Sequence, residues 1–294
     1  MSKTNGATSP FADVSLIGPG EPPPYRVVNE AAQGQALLVC DHASNLIPHA
    51  LAELGLDYRS RQKHIAWDMG AERATQYLAR HLNLTAVLAG YSRLVMDLNR
   101  KPDLPAAFPE ESDHILVPGN QGLSYEEKTL RKKTFFDTYH GAIEKELDKV
   151  RARGQVPALV SIHSFTQALF MEAERPWQYG VLYDKDDRIA VGLKSFFGRH
   201  PEVRFGDNVP YSGEHPDDFT VDHHGEGAGI PCIGIEIRQD LLATQISFQH
   251  WVGLLCEALR EVLADPSLYQ LRPGFNAPAR PRFDRFLEPL PETS

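Results

Sequence analysis

Three short apolar runs in this chain end on side chains that bind metals or handle protons, and that recurrence limits what the chain can fold into. Ala36-Leu-Leu-Val-Cys40 runs into Asp41, His42, Ser44 and Asn45. Ala158-Leu-Val-Ser-Ile162 runs into His163, and Pro231-Cys-Ile-Gly-Ile235 runs into Glu236 and Arg238. Each run is short, lacks a helical period and reads as a fully buried strand. In open α/β sheets, ligands sit in the crevice beyond the carboxyl ends of such strands. A buried strand needs cover on both faces, and the segments between these runs supply it. The predicted order alternates strand and helix, which implies a single α/β domain with a mostly parallel mixed sheet flanked by helices.

The helices are read over residues 66–82, from the Ser124/Glu127 capping box to about residue 153, from Asp186 or Asp187 to Gly198, and over 244–264. Further strands are predicted over 84–88, 93–98 and 179–183. Residues 101–123, with four prolines, and 205–229, rich in Gly, Asp and His, are read as two long loops. Loops of that length are more often functional than idle. With 294 residues, 42% of them hydrophobic, the chain can bury a large core, and no linker divides it. The expected organisation is a flexible arm over 1–24, a single domain over 25–270 that carries the three strand-end clusters, and a Pro-rich tail over 271–294.

Composition also excludes partners. A net charge of −9 argues against nucleic acid, which needs clustered Lys and Arg. No apolar run approaches the roughly 20 residues that span a bilayer, and no secretory signal is read at the N-terminus. Cys40, Cys232 and Cys256 are odd in number and lack Cys-x-x-Cys spacing, so they read as buried thiols of a cytoplasmic protein.

Histidine and carboxylate donors suit zinc, and catalytic zinc takes three protein ligands. His42 and His163, at matching strand ends, are the first two candidates; the alternative is a hydrogen-bonded histidine closing each strand. In Cys232-Ile-Gly-Ile-Glu-Ile-Arg238, the period of two puts the isoleucines on one face and Gly234, Glu236 and Arg238 on the other. A carboxylate inside an apolar strand must be paired or functional. Glu236 is therefore either a general base or the structural partner of Arg238, which as a functional group would clamp a carboxylate or steady an oxyanion. Asn99 and Arg100, closing Asp97-Leu-Asn-Arg100, are either a carboxylate clamp or a strand-end turn.

Asp41-His-Ala-Ser-Asn45, Ser92-Arg-Leu-Val-Met-Asp-Leu-Asn-Arg100, Ser161-Ile-His-Ser164 and Gly234-Ile-Glu-Ile-Arg-Gln-Asp240 together resemble the N-formylglutamate amidohydrolase family, in order, from about residue 35 to 260. That family is similar in fold to the zinc carboxypeptidases and aspartoacylases. The resemblance implies hydrolysis of an N-formyl or N-acyl amino acid, an acidic small molecule. It implies zinc at His42 and His163, Glu236 as base, and Asn99 with Arg100 as substrate clamp. Arg93 is expected to support the clamp, and the resemblance favours His224 as a further substrate contact. Carboxypeptidase-type sites carry a Glu three residues after the first His, where this chain has Asn45. Asp68 is the expected third ligand and Asp41 the next choice. The same departure keeps open a second function, a non-catalytic binding protein for an acidic amino-acid derivative.

Overall fold

One sheet is built from seven strands, β1 (Tyr25–Val28), β2 (Ala36–Cys40), β3 (Thr85–Ala89), β6 (Ala158–Phe165), β7 (Tyr179–Leu182), β8 (Phe205–Asp207) and β9 (Cys232–Arg238); β4 (Glu111–Ser112) and β5 (Ile115–Leu116) make a separate hairpin. The order across the sheet is β1-β3-β2-β6-β9-β7-β8. The structure, a computed structural model, describes residues 15–215 and 217–272. Strands β3, β2, β6 and β9 run parallel, while β1 and β7 pair antiparallel with β3 and β9. The sheet is thus mixed and mostly parallel, in a single α/β domain.

The period of two sorts the side chains. Leu38, Val160, Ile162, Ile233 and Ile235 pack on one face against α2 (Ala71–His81), α5 (Arg188–Phe197) and α6 (Gln245–Leu263). Leu37, Val39, Leu159 and Cys232 pack on the other against α4 (Asp137–Ala152). Asp41, Ser161, His163 and Glu236 share the parity of this second set, so three parallel strands deliver their polar ends to the same face. Every residue of β2 and β6 is buried. That is the condition of a central parallel strand.

Local signals set the helices, beginning with the short α1 (Tyr58–Arg61), where the Asp57 side chain accepts from the Ser60 N–H. Ser124 and Glu127 form a reciprocal capping box ahead of α3 (Tyr125–Arg131), which continues through a π-helical turn, Lys132–Phe136, into α4. Thr244 caps α6 by accepting from the Ser247 N–H. The helix expected from residue 66 starts at Ala71, after a turn in which Gly70 adopts a φ of 83°. A Cβ there would lie 2.6 Å from Leu242 Cβ, so the turn requires glycine. Among the described residues, none of the helices is long and apolar enough to cross a membrane.

Three further expectations differ from the structure. Residues 93–98 are not a strand: Asn120 Nδ2 donates to the Leu94 carbonyl at 2.9 Å and Arg131 Nη1 to that of Val95 at 3.2 Å, replacing a ladder with side-chain partners. The two long loops contain structure, including the β4–β5 hairpin, β8 and a π-helical turn, Val221–Gly225. Residues 15–24, expected within the arm, pack on the body: Leu16 is buried and Tyr91 Oη donates to the Pro22 carbonyl at 2.7 Å. The rest of the arm, 1–14, and the tail from 273 lie outside the described residues.

Candidate metal centre and active site

His42 lies two residues beyond the end of β2, and His163 lies in β6 directly beside Glu236 of β9 in the parallel register. Asp68 reaches them from the turn before α2. Its backbone N–H donates to the His42 carbonyl at 2.9 Å, and Ser164 N–H donates to its Oδ2 at 3.2 Å. Asp68 Oδ2 then stands 3.0 Å from His163 Nδ1 and 3.4 Å from His42 Nδ1. One donor atom from each of His42, Asp68 and His163 falls within 4.8 Å of the other two, and all three residues are buried.

The far nitrogen of each ring is also held. His42 Nε2 donates to Asp97 Oδ1 at 2.8 Å. His163 Nε2 faces Ser161 Oγ at 2.9 Å and Asp41 Oδ2 at 3.2 Å. Carboxylates on the outer nitrogens fix the ring orientations and turn both Nδ1 atoms toward Asp68. His42 Nδ1 is buried and makes no hydrogen bond, an expense that a bound cation would relieve.

Neither outer aspartate has capacity to spare as a ligand. Asp41 also accepts from Tyr139 Oη and Thr220 Oγ1, both at 2.9 Å, and from Ser161 Oγ at 3.1 Å. Asp97 Oδ2 accepts from Arg93 Nε at 2.9 Å and Nη2 at 2.6 Å. Asn45 is turned away, donating to the Arg61 carbonyl at 3.1 Å.

Charge follows from this packing. Burial opposes charge on His163, but Asp41 and Asp68 outweigh it and raise its pKa well above the usual range. For Asp41, burial works to raise the pKa, yet the bond from His163 brings it down to about 2. Burial pushes Glu236 up to about 7, with the His163 charge opposing the rise. Glu236 is 6% exposed, and its Oε2 has no hydrogen-bond partner. A carboxyl group with these properties beside a metal-capable cluster is placed to exchange a proton near neutral pH.

All four residues line one pocket of about 710 Å³, as do Arg93, Asn99 and Arg100. Arg93 Nη1 lies 3.6 Å from Asp68 Oδ1. Asn99 Oδ1 accepts from Thr220 N–H at 2.9 Å, which orients its amide. Arg238 and His224 are placed elsewhere. Arg238 Nε donates to Asp240 Oδ1 at 2.7 Å and its Nη1 to the Arg175 carbonyl at 3.2 Å, so it pairs with neither Glu236 nor the pocket. His224 is buried behind the site, with Nε2 3.0 Å from His140 Nδ1 and Nδ1 3.4 Å from Glu144. His140 in turn meets the Leu98 carbonyl at 2.9 Å, so His224 braces the segment that carries Asp97 and Asn99.

The family model for N-formylglutamate amidohydrolase matches residues 34–243, which include every residue of this cluster. The chain belongs to that family. A solved structure of a gene product from Agrobacterium tumefaciens is 32% identical, with a TM-score of 0.81 over 85% of this chain and 98% of that one. The N-formylglutamate amidohydrolase of Ralstonia eutropha JMP134 is 14% identical, with a TM-score of 0.54 over 82% of this chain and 97% of that one, a likeness of fold alone. No curated protein matches the chain.

The sequence reading missed the outer aspartates, Asp41 and Asp97, in these roles. It also missed Asp218, which meets Arg100 across the pocket wall. The signal for the first two was present, since each lies within a motif that carries a site residue.

Proposed function

We propose that this site hydrolyses the C–N bond of an N-formyl or N-acyl amino acid, an acidic one of the N-formylglutamate kind, with zinc held by His42, Asp68 and His163. The observation that carries this reading is the buried, unpartnered Oε2 of Glu236 in the same pocket as three converging N and O donors. Two imidazoles and one carboxylate are a donor set of the kind found at catalytic zinc. Zinc there would supply a Lewis acid that polarises the acyl group and makes water nucleophilic at neutral pH.

The chain's own residues do the rest. Glu236 takes the proton from the attacking water and returns it to the departing amine. Arg93, fixed by Asp97, offers its guanidinium to the charge that develops on the acyl oxygen. Arg100 receives a substrate carboxylate beside the Asn99 amide. The absence of a Glu at position 45, which favoured a binding protein, has less force where Asp68 offers a carboxylate in the same cluster.

The direct test is kinetic. N-formylglutamate is expected to be hydrolysed with a much higher kcat/KM than its diamide. Arg100→Lys should lose about 2 kcal/mol of transition-state stabilisation, because a point charge does not reproduce the guanidinium fork. No preference for the free acid in the parent would remove carboxylate recognition from the reading.

The outer aspartates give a second expectation. Asp97→Asn and Asp41→Asn should each weaken zinc by about 10–100-fold, measured by competition with a chelator. Parent-like affinity in both variants would mean that the histidines need no help from behind.

A further inference from the structure

The guanidinium assigned to the substrate already holds a carboxylate. Arg100 Nη1 donates to Asp218 Oδ1, and its other bond runs to the Asn99 carbonyl at 3.1 Å. The backbone sets this meeting independently of the side chains: Arg100 and Asp218 form an antiparallel bridge, and Lys101 N–H donates to the Asp217 carbonyl at 3.0 Å. Both side chains line the catalytic pocket and remain partly open to it, at 23% and 17% exposure.

The other pocket arginine offers no alternative place for a carboxylate. Arg93 is tied to Asp97 by two hydrogen bonds, and Asp97 holds His42, so displacing that aspartate would loosen the metal cluster. The side chain of Asp218 is engaged by Arg100 and His215, outside that cluster.

We infer that Asp218 is a built-in competitor for the substrate-binding arginine: it occupies the carboxylate position on Arg100 until a substrate carboxylate takes its place. This rests on the proposed function, in which Arg100 binds the substrate acid group. The exchange replaces one carboxylate by another, so the charge at the guanidinium is conserved and the exchange is nearly balanced. A neutral amide or ester oxygen accepts from the guanidinium but brings no opposite charge, so it does not replace the ion pair that Asp218 makes. The competitor sets how tightly an acid is held, while discrimination between an acid and its neutral analogue stays with the charge of the arginine. Burial also raises the Asp218 carboxyl above its usual range despite Arg100 beside it, so its resting position is an expensive one for a charge. His215 Nδ1, 3.9 Å from the same Oδ1, is at hand for the carboxylate when Arg100 is released.

The test uses glutarate, a dicarboxylate with no amide to cleave, and isothermal titration of the protein as purified. Asp218→Asn keeps the size of the side chain and the backbone bridge but removes the competing charge. It should tighten glutarate by about tenfold, the scale of one charged hydrogen bond. Asp218→Ser carries the same expectation, so the outcome does not hang on one variant folding. Against an Arg100→Lys background, the gain should shrink to less than threefold. Unchanged or weaker glutarate binding in the Asp218 variants would overturn the inference and make Asp218 a simple brace for Arg100. Failure of the hydrolase reading looks different: no turnover of N-formyl amino acids, with the glutarate gain intact. Turnover without the gain keeps the hydrolase and removes the exchange.

Discussion

Replacing Glu236 with glutamine is expected to lower turnover by about 100-fold or more and to stabilise the metal-free protein above neutral pH. Both effects come from one circumstance, a carboxyl group buried in an apolar strand with an unpartnered oxygen. Folding raises its pKa from 4.5 to about 7, chiefly through burial. Below pH 4.5 both folded and unfolded states hold the proton, and the group costs nothing. As pH rises toward 7 the unfolded chain ionises first, so stability falls; above 7 the full penalty stands. At about 1.4 kcal/mol per pKa unit, that penalty is on the order of 3–4 kcal/mol. Glutamine never ionises and escapes it. Denaturant melts of metal-free parent and variant should therefore agree near pH 4 and separate near pH 8, the variant being the more stable. A base held ready for proton transfer at a cost in stability fits a hydrolytic site. A glutamine variant as active as the parent would make Glu236 a structural group, and one that is less stable at both pH values would refute the account of its burial.

What the sequence made legible follows from which interactions are local. The runs ending at His42, His163 and Glu236 are visible because a central parallel strand is buried on both faces and must be apolar throughout. The period of two then places Glu236 opposite the isoleucines without reference to any other strand. The Ser124 capping box and the Thr244 cap are likewise decided within four residues. Residues 93–98 misled because burial and apolar composition do not reveal what satisfies the backbone. Here the partners are Asn120 and Arg131, more than twenty residues away. Arg238 misled for a related reason. Its parity with Glu236 is real, but a neighbour two residues on, Asp240, and carbonyls from 175 and 177 hold its side chain. The motifs place Asp41 and Asp97 beside site residues, but their roles depend on which ring nitrogen each faces, and that is fixed only when β2, β6 and the 93–98 segment assemble.

Asp68→Ala is expected to empty the metal site, whereas Asn45→Ala should leave it loaded. A carboxylate neutralises part of the charge of a cation and an amide does not. Position decides the rest: Asp68 Oδ2 lies within 3.4 Å of both inner ring nitrogens, while Asn45 is engaged with the Arg61 carbonyl. Loss of a direct ligand should exceed the ~100-fold upper range for an outer partner, so metal content after dialysis against a weak chelator should fall to background. Proton release gives an independent check. In the metal-free protein, carboxylates raise the pKa of both His42 and His163 against the effect of burial, yet a cation binds only the neutral rings. Zinc must therefore displace protons, and its affinity should fall as pH is lowered through the range in which these rings are protonated. Titration near pH 7 in buffers of different ionisation enthalpy should show that release. In Asp68→Ala, both imidazoles lose one of the carboxylates that hold their protons, so residual binding should release fewer. If zinc falls equally in the Asp68 and Asn45 variants, or binding is indifferent to pH, the three-residue cluster is not the metal site.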